Sequence, residues 1–307
     1  MPYPIDEKLV IGVASSALFK LDQADSVFRS EGLAAYRQYQ RDHQEDVLEK
    51  GIAFPFIRRI LKFNTLFPEE HPVEVVLLSH NDPDTGQRVF HSIRHYKLDI
   101  TRAAFTSGDS PFVYIPCYNV TLFLSANGED VKNAGADGYA AGQVLESKAT
   151  DDDDDSELRI AFDFDGVIAD DSAELVYQVG GINKFYDSER KKALTPLPAG
   201  PLAPLLSQLA KLRALEDERE KADPGYKRFL HTSIITARSA PADARIVSTL
   251  RSWNVTVDKT FLLGGIDKGR ILSVLKPHIF FDDQRPHLDA SSPYTPSVHV
   301  PFGALND

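Results

Sequence analysis

Two carboxylates two residues apart, Asp163 and Asp165, follow the apolar segment Leu158 to Phe162 and precede Gly166. Just past a buried strand such a pair is costly unless a positive group sits between its members. The glycine then lets the chain turn. This is the arrangement needed for a carboxylate nucleophile that attacks phosphorus, a metal held beside it, and a second carboxyl working as acid and base. Three further strand ends supply matching parts. Thr236 closes Ser233-Ile234-Ile235, and its hydroxyl with the N–H groups of the following Ala237 and Arg238 suits phosphate oxygens. Lys268 lies among glycines in Leu263 to Gly269 and is suited to offset the charge of nucleophile and phosphate. Asp282 and Asp283 follow Ile279-Phe280-Phe281, where one or both complete an oxygen-only magnesium shell. Each has a plain structural reading as well: a strand-end cap, a solvated lysine, a helix N-cap. Their ordered recurrence at strand ends favours the chemistry.

The elements that must position these residues are strands alternating with helices. Apolar segments at Leu9 to Val13, Val73 to Leu78, Val120 to Leu124, Leu158 to Phe162, Thr232 to Ile235 and His278 to Phe281 read as strands. Between them run helical patterns, such as the stripe Leu205, Leu206, Leu209 and Leu212. Alternation of this kind predicts α/β architecture with parallel sheets flanked by helices, whose ligands sit at the carboxyl ends of the strands. The segment Asp171 to Gly200 reads as a small helical lid, and Trp253 with Leu250 as a helix-end core contact.

The two halves also repeat. Lys8 to Phe28 parallels Glu157 to Tyr177, and Gly32, Tyr36, Gly51 and Pro55 match Gly181, Phe185, Gly200 and Pro204 at an offset of 149 (200 − 51). Ser79, Arg88, Ile93 and Arg94 match Thr236, Arg245, Leu250 and Arg251 at an offset of 157 (236 − 79). An internal duplication is therefore expected. Its second copy carries eight extra residues (157 − 149) in or near Ala214 to Lys227. The five aspartates Asp151 to Asp155 repel one another and are read as a solvated linker, giving domains 1–150 and 156–307 around the linker 151–155.

A 42% hydrophobic and 26% charged composition is that of a globular protein with a proper core, and 307 residues suffice for two domains. The net charge of −11 argues against a nucleic-acid polymer as partner. The single cysteine, Cys117, lies in the apolar stretch Val113 to Leu124 and is expected to be a buried, inert thiol; a lone cysteine fits a reducing compartment. No signal peptide is read at the N-terminus and no apolar run approaches the ~20 residues of a membrane span, so a cytoplasmic location without membrane association is expected. The nine histidines show no zinc-site spacing.

The ordered D-x-D, Thr, Lys and Asp-Asp set resembles the haloacid-dehalogenase (HAD) superfamily. Longer strings make the whole chain look like the cytosolic type I 5′-nucleotidase family: Ser15 to Phe19 with Ser30 to Tyr36, Gly51 to Phe56, Leu77 to Asp82, Thr236 to Arg245, Thr249 to Trp253, and Pro277 to Gln284. The resemblance implies two tandem Rossmann-like HAD-type domains. It also implies hydrolysis of nucleoside 5′-monophosphates with Mg2+ held by Asp163, the Asp165 carbonyl, and Asp282 or Asp283. In that mechanism Asp163 is the nucleophile, Asp165 the acid and base, and Thr236, Ala237, Arg238 and Lys268 face the phosphate. By the two offsets the N-terminal half has Ala14, Ser16, Pro111, Ser125 and Ala126 where the other has Asp163, Asp165, Lys268, Asp282 and Asp283, so it is expected to be catalytically silent. Its strand-end Ser15, Ser16, Ser79, His80, Asn81 and Asp82 suit either a regulatory nucleotide or mere caps. A phosphatase of another small ester and a non-enzymatic nucleotide sensor are the rival readings, and homo-oligomerisation is left open.

Overall fold

Five consecutive buried positions in LVIGV, and again most of those in LRIAF, require strands covered on both faces, and each half of the chain has such a strand in the middle of its parallel strands. A computed structural model describes residues 3–303, apart from the side chain of Asp25. Residues 1–2 and 304–307, the ends of the two expected domains, lie outside them. By contact the chain divides into two compact units, the first ending at Val144 and the second beginning at Leu145.

The first unit runs β1 (Leu9–Val13), α1 (Ser15–Leu18), α2 (Asp22–Glu31), α3 (Leu33–Asp42), α4 (Phe54–Leu66), β2 (Val73–Ser79), α5 (Gln87–His95), β3 (Arg102–Phe105), β4 (Leu122–Ser125), α6 (Gly128–Ala136) and β5 (Ala141–Val144). The second runs β6 (Leu158–Phe162), α7 (Ser172–Lys191), α8 (Ala203–Ala222), β7 (Leu230–Thr236), α9 (Asp243–Ser252), β8 (Lys259–Leu262), α10 (Lys268–Leu275), β9 (Ile279–Asp282), α11 (Arg285–Ser291) and β10 (Ser297–His299). Strand order is β3-β2-β1-β4-β5 in the first unit and β8-β7-β6-β9-β10 in the second, with every pair parallel. This is the doubly wound α/β order of a HAD-type fold, with helices on the faces of each sheet.

The halves agree beyond strand order. β1 and β6 are offset by 149 (158 − 9), and β2 and β7 by 157 (230 − 73). Ile11 pairs with Leu122 in the first unit and Ile160 with Ile279 in the second, the same register under those offsets. Left-handed backbone recurs at Lys97 and Asn254, at Ser107 and Gly264, and at Asn119 and Lys276. Such conformations are costly for side-chain-bearing residues, so their recurrence reflects shared turns rather than chance. Even a side-chain bond repeats: Leu48 N donates to Ser92 Oγ at 2.9 Å, and Leu197 N to Thr249 Oγ1 at 3.0 Å.

The eight extra residues of the second half lengthen the α8 helix and the loop after it: α8 has 20 residues against 13 in α4. Leu205, Leu206, Leu209 and Leu212 are buried along it as their spacing predicts. Further on, the buried Glu216 carboxylate accepts from Phe229 N at 2.6 Å, Leu230 N at 3.2 Å and the Tyr226 hydroxyl at 2.7 Å, tying the added turns to the start of β7.

Three expectations are revised. The acidic run Asp151 to Asp155 falls inside the second compact unit, and Asp155 is not solvated like its neighbours. Its carboxylate pairs with Arg159 and lies 3.2 Å from His278 Nε2, which offsets the repulsion. Cys117 is exposed, because Pro116 opens a short 3-10 turn (Pro116–Tyr118) and β4 begins only at Leu122. β3, β5, β8 and β10 are additional strands; they are short and lack a continuous apolar run, as in the largely exposed KTFL of β8. Among the described residues no helix is long and apolar enough to cross a membrane.

Candidate active site

The second sheet ends β6, β7 and β9 side by side, and the chemistry-bearing residues occupy those ends. Asp163 N donates to Phe281 O at 2.8 Å, so the first residue past β6 is still held by β9. The Asp163 side chain is buried, with Oδ1 accepting from Phe164 N at 2.7 Å. Its Oδ2 is 2.9 Å from Lys268 Nζ, which also donates to Asp282 Oδ2 at 2.6 Å. Lys268 reaches this point because Asp267 caps α10, accepting from Gly269 N at 2.6 Å. One buried lysine thus bridges the end of β6 and the end of β9.

Electrostatics there are unbalanced. Burial pushes the Asp163 carboxyl up to about 7; Lys268 opposes this, while Asp282 and Asp165 add to it. Burial also pushes Asp283 up to about 9, with Asp163 and Asp282 reinforcing the effect. Burial alone would pull Lys268 down, yet the two carboxylates beside it outweigh that and raise it. Asp282 is lowered, since Lys268 and His287 outweigh its burial. Asp283 Oδ1 is buried without a hydrogen-bond partner. Gly166 makes room for that side chain: it has φ +72°, and a Cβ added there would stand 2.6 Å from Asp283 Oδ2.

Asp165 faces a different cation. Arg238 Nε donates to its Oδ2 at 2.7 Å and Nη2 to its Oδ1 at 2.6 Å, a two-pronged grip. The Arg238 guanidinium lies between the rings of Phe164 and Phe185, 5.3 and 5.5 Å from their centroids. Its Nη1 donates to the buried carboxylate of Glu189, whose other oxygen accepts from Arg245 Nη1 at 2.8 Å. Thr236 ends β7 with its hydroxyl buried and accepting from Arg238 N at 3.2 Å, and Ala237 is exposed. Beside Asp165 lies a narrow crevice of about 10 Å³, room for a single water, lined by Gly166, Asp171, Glu174, Asp283 and Gln284, with α7 as one wall. Glu174 is raised by burial and by Asp165.

A family model described as 5′-nucleotidase matches residues 1–307. The chain belongs to the 5′-nucleotidase family. Human cytosolic 5′-nucleotidase 1B is 32% identical over 301 residues, an alignment covering 94% of this chain and 48% of that protein. The chain therefore spans about half the length of that curated relative. No solved structure matches it.

In this member of the 5′-nucleotidase family, the predicted residues fall into two groups. Asp163, Lys268 and Asp282 are in mutual contact through the lysine, with Asp283 next in the chain. Asp165 and Arg238 are joined, and Arg238 is turned to carboxylates rather than toward the space beside Asp163. Sequence reasoning missed His287, whose Nδ1 is 3.3 Å from Asp282 Oδ2 and which could ligate a metal with Asp163 and Asp282, their donor atoms lying within 4.8 Å of one another. It also missed Glu189, whose burial no sequence feature marks; the structure places it against Arg245 as it places Gln40 against Arg88.

Proposed function

We propose that the second half of this chain hydrolyses nucleoside 5′-monophosphates to nucleoside and phosphate through an aspartyl-phosphate on Asp163. The observation that carries the reading is the buried Asp163–Lys268–Asp282 contact at the ends of β6 and β9. It presents a carboxylate nucleophile next to a fixed cation, an arrangement with a clear chemical use and a structural cost.

Two carboxylates, Asp163 and Asp282, share one lysine, and in the adjoining Asp283 the buried Oδ1 has no partner. This oxygen donor set suits a hard divalent cation such as Mg2+, held by Asp163, the Asp165 carbonyl and Asp283, with Asp282 kept by Lys268. Once bound, the ion supplies positive charge that draws a phosphate dianion to an otherwise acidic site.

In the first step an Asp163 oxygen bonds to phosphorus and the bond from phosphorus to the 5′-oxygen breaks; Asp165 gives that oxygen its proton. In the second, water attacks phosphorus, Asp165 takes the proton, and the acyl-phosphate bond breaks to return Asp163 and release phosphate. Lys268 and the Thr236 end of β7 face the transferring oxygens. The first half, with Ala14, Ser16, Pro111, Ser125 and Ala126 at the registered positions, is silent in this scheme and descends from the same ancestral unit. A cytoplasmic location accords with the human relative's printed name.

Phosphate release from a panel of nucleoside and deoxynucleoside monophosphates, with Mg2+ or EDTA, tests the reading. Wild-type turnover that needs Mg2+ and is lost in Asp163→Asn is expected. Turnover surviving Asp163→Asn excludes the aspartyl-phosphate, and turnover confined to other phosphate esters excludes the nucleotide substrate.

A further inference from the structure

Glu189 is almost wholly buried on α7, 24 residues from Asp165 (189 − 165), and touches no atom of the proposed reaction. A buried carboxylate is retained at a cost unless it is paired. Glu189 is paired twice, to Arg238 and to Arg245. Arg245 has a structural duty of its own: its Nε donates to Thr195 O at 2.9 Å, just as Arg88 Nε donates to Asp46 O at 3.0 Å in the first half. The first half therefore serves as an internal control. At the position of Glu189 it has Gln40 (189 − 149), and Arg88 Nη1 donates to Gln40 Oε1 at 3.4 Å. Arg238 is replaced by Asn81 (238 − 157) and Asp165 by Ser16 (165 − 149). The helix-to-arginine contact survives without the carboxylate, while three charges, Asp165, Arg238 and Glu189, are absent as a set.

We infer that Glu189 is a positioning residue for the acid and base Asp165, acting through Arg238. Glu189 fixes one end of the guanidinium and Phe164 and Phe185 fix its plane, so that Nε and Nη2 hold both Asp165 oxygens. α7 breaks at Gly181 (φ +69°, ψ −176°), and its C-terminal segment carries both Phe185 and Glu189. Tyr186 on the same segment lies 2.6 Å from Ser239 Oγ, a second tie to the loop after β7. The part of α7 that carries Glu189 is thus anchored to the loop that carries Arg238. Both oxygens of Asp165 accept hydrogen bonds here, the form in which it takes a proton from water in the second step. Losing the grip is expected to slow hydrolysis of the aspartyl-phosphate more than its formation from an ester whose leaving group needs no proton.

This inference rests on the proposed phosphatase reading, and Glu189→Gln tests it. Gln40 shows that the fold accommodates the amide. With 4-nitrophenyl phosphate and Mg2+, kcat and KM are expected to fall together by about tenfold or more, leaving kcat/KM within about threefold of wild type. Acid quenching should trap more phosphorylated protein than in wild type. With nucleoside monophosphates, which need a proton on the leaving oxygen, kcat/KM should fall as well. Arg238→Lys, which keeps the charge and loses the fork, should reproduce the split and carries the test if Glu189→Gln does not fold. A folded variant with unchanged kcat, or with kcat/KM lowered equally for aryl and nucleoside esters, overturns the inference while leaving the phosphatase reading intact. A wild type inert toward every monoester removes the phosphatase reading, and the inference falls with it.

Discussion

Replacing Lys268 with methionine removes the cation that contacts both Asp163 and Asp282, at 2.9 and 2.6 Å. Breaking a buried ion pair from one side generally costs about 3–5 kcal/mol, since a charge is left without a partner. Here the cost has a ceiling, because a stranded carboxyl can take a proton instead. Asp282, whose ionised form Lys268 maintains, starts from an ordinary value of 3.8. Forcing it to fold protonated at pH 7 costs about 4 kcal/mol, from ~1.36 kcal/mol per pH unit over roughly three units. At pH 5 the same ceiling is about 1.6 kcal/mol. The variant should therefore lose about 3–4 kcal/mol at pH 7 and about half of that or less at pH 5. Its raised carboxyl costs least where it is already protonated, so the deficit must shrink as pH falls. The single tryptophan, Trp253, caps α9 in the second half, so its fluorescence during urea unfolding in EDTA reports that half alone. Asp282→Asn added to Lys268→Met should recover most of the loss at pH 7. A deficit below about 1 kcal/mol, or one independent of pH, would refute the argument that Lys268 is the neutralising charge of this cluster.

Three further outcomes follow from single contacts. Asp155 is held down to about 2, because the Arg159 guanidinium and the Glu157 N–H outweigh its burial. Its stabilisation is full above pH 3.8 and lost as pH falls toward 2, so Asp155→Asn should cost about 2 kcal/mol at pH 7 and almost nothing near pH 2, measured as urea midpoints. Gly166→Ala should destabilise by about 1–3 kcal/mol through its left-handed backbone and displace Asp283, with Mg2+-dependent phosphate release falling further than thermal stability explains. Glu216→Ala removes the buried acceptor of Phe229 N, Leu230 N and the Tyr226 hydroxyl and should cost about 3 kcal/mol in the Trp253 transition.

The strand-end placement of the candidate site residues was legible in sequence because parallel α/β sheets put their loops on one side. A run such as LRIAF followed by DFDG therefore announces both element and exit. The likeness of the halves was legible because backbone turns and core registers recur at constant offsets. The network behind Asp165 was not, since a buried glutamate on a helix looks like any solvated helix glutamate until its partner is placed. Only the backbone N–H of Arg238 had been assigned to phosphate, and no sequence feature pointed to the role of its side chain, whose donors Asp165 and Glu189 occupy where α7 packs against the loop after β7. Cys117 was misjudged for the converse reason. Apolar neighbours such as Val113 and Tyr114 are themselves exposed on the short turns before β4, so local hydrophobicity did not mean burial.

Architecture and chemistry can be separated within this one chain. The first half keeps the strand order, the registers, the left-handed turns and the arginine at Arg88 without a carboxylate at the positions registered to Asp163, Asp165, Asp282 or Asp283. A sheet of this design therefore does not need those charges to fold, and burying them costs free energy. The second half nonetheless retains all of them, together with Lys268 to offset two and the Arg238–Glu189 pair to hold a third. Charges that the fold can do without, concentrated at the carboxyl ends of neighbouring strands, are accounted for by the reaction they are proposed to serve rather than by stability.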